Sequence, residues 1–212
     1  MTRIHKFVFN PFQENTYIVS DDDGTCAIID PGCYSVHEKD ELKRHIDQSG
    51  LKPVKLINTH AHLDHILGNA FVSETWNLLP ELHIDDLQLL RSAPLYGDLW
   101  GIKPESSPDP VSFLKEDDVI TIGSSHFKIL FVPGHCPGHV ALYEEETGIL
   151  IAGDVLFQGS IGRTDLPGGD MSTLLESIRK KFFVLPDETI VYPGHGPETT
   201  IGEEKKSNPF VY

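Results

Sequence analysis

Cysteine is scarce in this chain of 212 residues. The three cysteines, Cys26, Cys33 and Cys136, follow none of the paired spacings that hold structural zinc. Their odd number excludes a complete disulfide framework, so the sequence predicts free thiols in a reducing compartment. Cys136 adjoins His135, and we interpret it as a buried, inert thiol in preference to a redox-sensitive one.

Positive charge is also scarce. Lysine and arginine number 17 against 32 aspartates and glutamates, which gives a net charge of -15 at pH 7. A chain this acidic disfavours nonspecific binding to nucleic acid and to anionic membranes. The sequence therefore predicts neither a nucleic-acid partner nor a membrane partner.

Long apolar runs are the third scarcity. No stretch has the length of a transmembrane helix, and residues 1–7 lack the apolar core of a signal peptide. The sequence thus predicts a cytoplasmic protein. Linkers and low-complexity tracts are missing as well, so residues 1–212 are expected to form one domain.

Short apolar runs alternate with amphipathic ones along the chain. We predict early strands at residues 4–9, 16–20 and 25–30. Ser35 and Glu38 form a capping-box pattern at the start of a helix that Gly50 ends, and a further helix is predicted over residues 172–184. This alternation favours an α/β fold with two packed sheets between helical layers.

A dense group of metal-competent side chains comprises His60, His62, Asp64 and His65. Alternate side chains of an extended segment share a face, so the first three are expected to project together. His65 is expected to turn the other way as a helix begins. A histidine-rich surface loop is the alternative interpretation. It is disfavoured because three further candidates recur downstream, at His135, Asp154 and His195.

These seven candidate ligands are enough for two metal ions. Imidazole and carboxylate groups without a thiolate suit zinc, iron or manganese. Two such ions at roughly 3.5–4 Å are a known arrangement for activating water. The sequence therefore predicts a metallohydrolase.

The candidate ligands come just after apolar runs, which are residues 54–57, 128–132, 149–152 and 189–192. Layered α/β proteins keep their sites beyond strand ends, so we expect four loops to converge at one edge of the sheets. Two of these loops, residues 133–137 and 193–197, are near copies with a shared Pro-Gly-His sequence. Their repetition suggests two related halves.

Several motifs resemble those of the metallo-β-lactamase superfamily, and glyoxalase II-like hydrolases are the most similar branch. The motifs are His-x-His-x-Asp-His at residues 60–65, Ile-Ile-Asp-Pro-Gly at 28–32, Gly-Asp at 153–154 and Gly-His-Gly at 194–196. The resemblance spans nearly the whole chain and implies a four-layer αββα sandwich. Full-length glyoxalase II carries an additional C-terminal helical domain, which residues 1–212 are expected to lack. Secreted lactamases resemble the chain less, because many of them have another residue in place of His65.

The resemblance also implies a ligand set. His60, His62 and His135 would hold the first ion, Asp64, His65 and His195 would hold the second, and Asp154 would bridge them. Asp30 would orient a ligand. Zinc is favoured for both ions, with iron or manganese compatible.

The activity that the resemblance implies is hydrolysis of a small anionic thioester such as S-D-lactoylglutathione. A metal-bound hydroxide would attack the thioester carbonyl, with Asp64 and Asp154 as the catalytic carboxylates. Residues 159–163 resemble the loop where a basic residue meets glutathione, so Arg163 is the candidate substrate contact. The alternative for Arg163 is a surface ion pair with Asp165 or Asp170.

Other functions stay open. Residues 162–165 also resemble persulfide dioxygenases, which use a single iron at positions that include His60, His62, His135 and Asp154. Hydrolysis of another small ester or lactone is a further possibility, and metal binding without catalysis is disfavoured. The oligomeric state is not predicted.

Two expectations concern residues around the site. Residues 91–111 are predicted to be irregular, either as a loop that covers the site with Tyr96, Leu99 and Trp100 or as a packed connection or subunit contact. His139 is a candidate for orienting a ligand, against an equal expectation of no such role. The remaining histidines are interpreted as solvent or packing residues: His5, His37, His45, His83 and His126.

Overall fold

The computed structural model describes residues 1–110 and 112–211, without the side chains of residues 98–100. The predictions made for the side chains of Leu99 and Trp100, and for Val111, lie outside the described part of the chain.

The first of two mixed sheets is built by the N-terminal half of the chain. Its strands pair in chain order, antiparallel from β1 to β3 and parallel from β3 to β6. They are β1 (Arg3–Phe9), β2 (Glu14–Ser20), β3 (Thr25–Ile29), β4 (Lys52–Ile57), β5 (Pro80–Leu82) and β6 (Ser112–Phe113). The three early strands predicted from the sequence are confirmed to within two residues at each end.

The second sheet has the strand order β14-β13-β10-β9-β8-β7. Only β10 and β13 pair in parallel among its described pairs. Its strands are β7 (Val119–Ile122), β8 (Ser125–Phe131), β9 (Val140–Glu144), β10 (Ile149–Gly153), β13 (Ile190–Pro193) and β14 (Thr199–Thr200). A separate hairpin joins β11 (Leu156–Phe157) to β12 (Ser160–Ile161).

The two sheets pack face to face through their apolar side chains. Tyr17, Ile29 and Ile57 of the first sheet belong to one buried cluster with Phe127 and Ile129 of the second. Strands β2, β9 and β10 are buried at every position. Strands with both faces covered typically consist of short continuous apolar runs, as β10 does.

Helices cover the outer face of each sheet. The helices are α1 (Val36–Gln48), α2 (Leu63–Ile66), α3 (Asn69–Trp76), α4 (Leu87–Trp100), α5 (Met171–Ser177) and α6 (Ile201–Ser207). Leu42 of α1 and Val72 of α3 pack on the first sheet. Leu174 of α5 and Ile201 of α6 pack on the second. The predicted four-layer αββα sandwich is confirmed.

Two predicted helices differ only at their ends. Ser35 accepts a hydrogen bond from the Glu38 backbone and the Glu38 side chain accepts one from Ser35, which confirms the capping box of α1. The helix predicted for residues 172–184 begins at Met171, with Asp170 as its N-cap. It continues as a π-helical turn over Ile178–Phe182 and ends two residues before the predicted position.

The prediction of an irregular segment at residues 91–111 is wrong for its first half, because α4 runs from Leu87 to Trp100. Pro94 lies inside this helix, where a proline removes one intrahelical hydrogen bond. Leu90 and Ala93 are buried in a cluster with α2, and this packing outweighs the local cost. None of the described helices is long and apolar enough to cross a membrane.

Candidate metal centre

Four loops bring the seven predicted ligands together, as the sequence predicted. The loops follow β4, β8, β10 and β13. The two Pro-Gly-His loops follow β8 and β13, which both belong to the second sheet. The suggestion that their repetition marks two related halves stays a prediction.

The first turn of α2 decides the direction of Asp64. His62 has extended backbone angles and is the N-cap, and the helix then carries Asp64 and His65. The prediction that Asp64 projects from an extended segment together with His60 and His62 is therefore wrong. The helical turn instead directs Asp64 toward a second group of ligands.

His60, His62 and His135 form the first group. One ring nitrogen from each lies within 4.8 Å of the others. The Nδ1 of His62 and the Nε2 of His135 are 2.8 Å apart. Three imidazole nitrogens converging in this way are a typical donor set for zinc or iron.

Asp64, His65 and His195 form the second group, also within 4.8 Å of one another. The Oδ2 of Asp64 lies 3.1 Å from the Nε2 of His195 and 3.7 Å from the Nε2 of His65. This group thus pairs two imidazoles with one carboxylate.

Asp154 joins the two groups. Its Oδ2 lies 3.6 Å from His135 Nε2 and 3.5 Å from His195 Nε2, and its Oδ1 lies 3.5 Å from His65 Nε2. A carboxylate with one ligand of the first group and two of the second within this distance is in the position expected of a bridge between two ions.

Four of the imidazoles direct Nε2 to the centre because Nδ1 contacts another group. These contacts are His60 to Thr59 Oγ1 at 3.0 Å, His65 to Asp30 Oδ2 at 3.1 Å, His135 to the Arg163 carbonyl at 2.7 Å, and His195 to the carbonyls of Phe12 and Gln13 at 3.2 Å. Such contacts fix the tautomer and the ring orientation of a metal ligand.

Asp30 is at the root of two of these contacts. It accepts hydrogen bonds from the Thr59 backbone at 2.7 Å and from the Thr59 hydroxyl at 2.6 Å, while Thr59 in turn contacts His60. Asp30 adopts a φ of 48°, a left-handed conformation that non-glycine residues rarely hold without tertiary support. Asp30 thus orients His65 directly and His60 through Thr59.

The buried polar atoms of the centre fit a metal. Among the described residues, His60 Nε2, His65 Nε2 and Asp154 Oδ1 are buried without a hydrogen-bond partner. Buried polar atoms of a protein normally have one, and an orphaned atom calls for an explanation such as an ion. All three atoms point into the two groups of ligands, so divalent ions would satisfy them.

The two ligand groups differ in the direction in which their surroundings shift the pKa of the histidines. Burial, with help from neighbouring imidazoles, lowers the pKa of His62 to about 3 and the pKa of His60 well below its usual value. These rings are neutral, which is the form that binds metal. Burial also disfavours the charged form of His65, but Asp64 and Asp154 outweigh it and raise the pKa of His65. The carboxylates therefore attract positive charge to the second group.

Asp86 is a residue of the site that the sequence did not reveal. Its buried carboxylate accepts hydrogen bonds from the backbone of Ala61 at 2.9 Å, the backbone of Gly138 at 2.6 Å and the Cys136 thiol at 3.1 Å. It thereby ties the His60–His62 loop to the His135 loop. The only local signal is an aspartate before α4, which by itself predicts a helix start.

Asn15 is a second residue missed from the sequence. Its backbone donates to Gly194 at 2.7 Å, and its side chain donates to Pro193 and Gly196 at 2.9 Å. The N-terminal part of β2 therefore holds the His195 loop of the opposite sheet. No spacing in the sequence connects these residues, since they are brought together only by sheet packing.

His139 contacts the candidate metal centre, which agrees with the expectation that it orients a ligand. Its Nε2 accepts from the Asp154 backbone at 3.0 Å, and its ring stacks on His60 at 4.7 Å between centroids. Cys136 is buried, and burial raises the pKa of its thiol well above the usual value, which fits the predicted inert thiol. The histidines set aside from the site take no part in the ligand groups found among the described residues.

A cavity of about 510 Å³ adjoins the two groups, a size typical of sites for small molecules. Five predicted ligands line it. Its other lining residues are Phe12, Ala61, Leu63, Leu89, Ala93, Tyr96, Phe157, Ser160, Ile161, Arg163, Leu166 and Pro167. The cavity is thus lined mostly by apolar side chains around the five predicted ligands.

Arg163 combines both of its predicted environments. It lines the cavity, and its guanidinium makes two hydrogen bonds of 2.7 Å with Asp165. Asp170, the other predicted partner, instead caps α5. The Arg163 side chain is 56% exposed, so its ion pair is open to water and to a ligand.

Comparisons with known proteins agree with this geometry. Residues 9–195 match the model of the metallo-β-lactamase superfamily. The hydroxyacylglutathione hydrolase GloC of Haemophilus influenzae is 40% identical over 207 residues, which cover 94% of this chain and 93% of that protein. The protein TTHA1623, solved in a di-iron-bound form, is 40% identical with a TM-score of 0.88, over 97% of this chain and 99% of that one.

The B3 metallo-β-lactamase BLEG-1 is also similar in structure, with a TM-score of 0.91 and 37% identity over 99% of both chains. The expectation that secreted lactamases resemble the chain less stays a prediction. The fold, the two ligand groups and the sequence match lead to one conclusion. The chain belongs to the metallo-β-lactamase superfamily, a family of metallo-hydrolases.

Proposed function

We propose that the protein is a metal-dependent thioester hydrolase, with S-D-lactoylglutathione as the reference substrate. The observation that carries this proposal is the pair of ligand groups joined by Asp154 beside a cavity of substrate size. The 40% identity to a hydroxyacylglutathione hydrolase, over nearly the full length of both chains, supports a thioester in preference to other esters.

Two divalent ions suit this donor set, with zinc favoured and iron or manganese compatible. His60, His62 and His135 would hold one ion, and Asp64, His65 and His195 the other, with Asp154 between them. When bound, the ions would supply a water of lowered pKa and polarise the substrate carbonyl. The di-iron form of TTHA1623 supports iron as the alternative to zinc.

Asp64 is the catalytic carboxylate that we assign to orienting the attacking water. It lines the cavity and contacts His195 through one of its oxygens. Burial disfavours its charged form, but the His65 imidazole outweighs burial and lowers the pKa of Asp64. The carboxylate is thus ionised, which is the form that can hold an ion and accept a hydrogen bond from the attacking water.

Asp154 is the carboxylate we assign to positioning the two ions. Its backbone N–H is held by His139, so the carboxylate stays directed at His65, His135 and His195. The leaving group makes little demand on a general acid, because a thiol ionises near pH 8.5 and departs as the thiolate. A carboxylate and a pair of ions therefore suffice for a thioester.

Arg163 is the proposed contact for the anionic part of the substrate. Its guanidinium lies at the cavity and is paired only with the exposed Asp165 among the described residues. An exposed ion pair is worth little, so a substrate carboxylate can share or replace Asp165 at low cost. Arg163 would then fix the thiol part of the substrate.

Two other activities have a specific observation behind them. The likeness to BLEG-1 supports a test of β-lactam hydrolysis. The resemblance of residues 162–165 to persulfide dioxygenases, together with the binding of iron by TTHA1623, supports a test of iron-dependent persulfide oxidation. We favour hydrolysis at a dinuclear centre, because the second ligand group, with its unpartnered His65 nitrogen, has no role around a single ion in the first.

The proposal is tested by thiol release from S-D-lactoylglutathione, measured on purified, metal-analysed protein with an apo control. Metal-dependent release would support it. No release from protein with a full metal complement would overturn the substrate assignment. Parallel assays of oxygen uptake with glutathione persulfide and of β-lactam ring opening would then identify which alternative holds.

A further inference from the structure

We infer that the thioester hydrolysed at this centre carries an apolar acyl group, which packs on one face of α4. The inference rests on the proposed function and adds the acyl specificity of that same site.

The face in question is defined by three positions of α4. Leu89, Ala93 and Tyr96 are spaced at i, i+4 and i+7, and residues at this spacing share one side of a helix. All three line the cavity, and Leu63 of α2 lines it with them. Apart from the Tyr96 hydroxyl, these four side chains present only carbon atoms.

The face is continuous with the reacting centre. The same cavity is lined by His62, Asp64 and Asp154, which belong to the predicted ligand groups or lie between them. A carbonyl held at these residues has its substituents inside this cavity. The wall made by α2 and α4 is therefore an apolar surface of the same cavity that one of the two substituents can contact.

The polar groups of the wall decide which substituent this is. Apart from the predicted ligands and the Tyr96 hydroxyl, the described lining residues have polar side chains only at Ser160 and Arg163. Both belong to the segment around β12, so neither comes from α4. Because the proposed function assigns the anionic thiol part to Arg163, the acyl group is left with the apolar face of α4.

The physical consequence is a preference among acyl groups. Each methylene that is fully buried on an apolar surface improves binding by roughly fourfold. A hydroxyl on the acyl group loses water on the same surface and gains few partners. An alkyl or aryl acyl group is therefore expected to react with a higher kcat/KM than the lactoyl group.

The experiment keeps the thiol constant and varies the acyl group. The metal-loaded full chain is assayed for thiol release from the acetyl, lactoyl, butanoyl and hexanoyl thioesters of glutathione. We expect kcat/KM to rise from acetyl to hexanoyl by at least about tenfold, since several methylenes are added. The lactoyl thioester should fall at the lower end of the series.

Two variants of α4 locate the effect. Leu89→Gln places an amide on the apolar face and should reduce the hexanoyl-to-lactoyl ratio of kcat/KM by roughly tenfold. Leu95→Gln is the matched control, because Leu95 is 73% exposed and lies off this face. It should leave the ratio unchanged. Thermal unfolding of each variant checks that the fold is intact.

The outcomes separate this inference from the proposed function. A flat or falling acyl series in an active enzyme would overturn the apolar acyl assignment and leave the thioesterase activity standing. A Leu89→Gln ratio equal to that of the wild type would remove α4 from the assignment. No release from any thioester by fully metallated protein would overturn the proposed function, and this inference with it.

Discussion

Gly194 lies against the candidate metal centre, directly before His195. A Cβ added at Gly194 would lie 2.1 Å from Asp154 Oδ1 and 2.7 Å from His65 Cε1. Real Cβ contacts are essentially never shorter than 3.0 Å, so in Gly194→Ala the Asp154 oxygen must move by about 0.9 Å or more. Gly194 is outside the left-handed region, so the effect of the added methyl is steric.

The expected loss of activity in Gly194→Ala follows from how precisely a functional centre must hold its groups. Groups of a functional centre need to be held within about 0.5 Å, and a misplacement of roughly 1 Å can cost about a hundredfold in rate. We expect Gly194→Ala to lower kcat/KM about a hundredfold and metal affinity roughly 10- to 100-fold. Overpacking should also lower the free energy of unfolding of the apo protein by about 1–3 kcal/mol.

Gly50→Ala is the control for a glycine-to-alanine change. Gly50 has a φ of +64° and no atom within 4 Å of an added Cβ, and it follows α1. Its replacement should cost about 1–2 kcal/mol of backbone strain without changing metal affinity or turnover. The assays are metal titration, thiol release, and urea unfolding in the presence of a chelator. Wild-type metal affinity and rate in Gly194→Ala would refute the reasoning.

Three further changes test other parts of the centre and of the fold. Asp154→Ala should abolish metal-dependent turnover, and full activity with a full metal complement would show that the ligand assignment is wrong. Asp86→Asn replaces one of the two accepting oxygens by an NH2 donor, which then faces the backbone N–H of Ala61 or Gly138, so urea unfolding should show a loss of about 1–3 kcal/mol. An unchanged midpoint would contradict this. Hydrogen bonds from Ser172 and Thr173 lower the pKa of the exposed Asp170 to about 2. The ionised Asp170 therefore stabilises the folded state above its unfolded pKa of 3.8, and this stabilisation is lost as the pH falls through about 2. Asp170→Asn should remove this part of the pH dependence of the free energy of unfolding. A variant curve that runs parallel to the wild-type curve would contradict this expectation.

The ligand set was predictable because it depends on residue type and short spacing. Few side chains bind metal, and His60, His62, Asp64 and His65 occur together in one short stretch. Apolar runs before the downstream candidates placed them at strand ends, where the structure has them. The direction of the side chains was less predictable. Asp64 leaves the face of His60 and His62 because the helix begins at Leu63, two residues before the predicted start at His65.

The contacts that orient the ligands were beyond sequence reasoning. Asp86 reaches Cys136 across 50 residues, and Asn15 reaches Pro193 across 178. Hydrogen bonds between residues this distant leave no local pattern, because they depend on how loops of different strands pack. Asp30 was proposed through family resemblance, whereas its relay through Thr59 to His60 is visible only in three dimensions.

Helix α4 is a part of the fold that local sequence patterns did not predict. Pro94 and Gly97 predict a break, and local propensity gave no reason to expect a helix there. Burial of Leu90 and Ala93 against α2 stabilises the helix regardless of that propensity. This tertiary contact is also what aligns Leu89, Ala93 and Tyr96 along the cavity.

The sequence by itself thus determined an α/β fold and a set of metal-competent side chains, since apolar periodicity and residue type are local properties of the chain, while the four-layer sandwich and the division of the candidate ligands were implied by the family resemblance. Tertiary structure alone decided which residues orient the candidate ligands and what the cavity wall offers a substrate. Those features depend on distances between segments that lie far apart in sequence, and packing of the two sheets sets those distances.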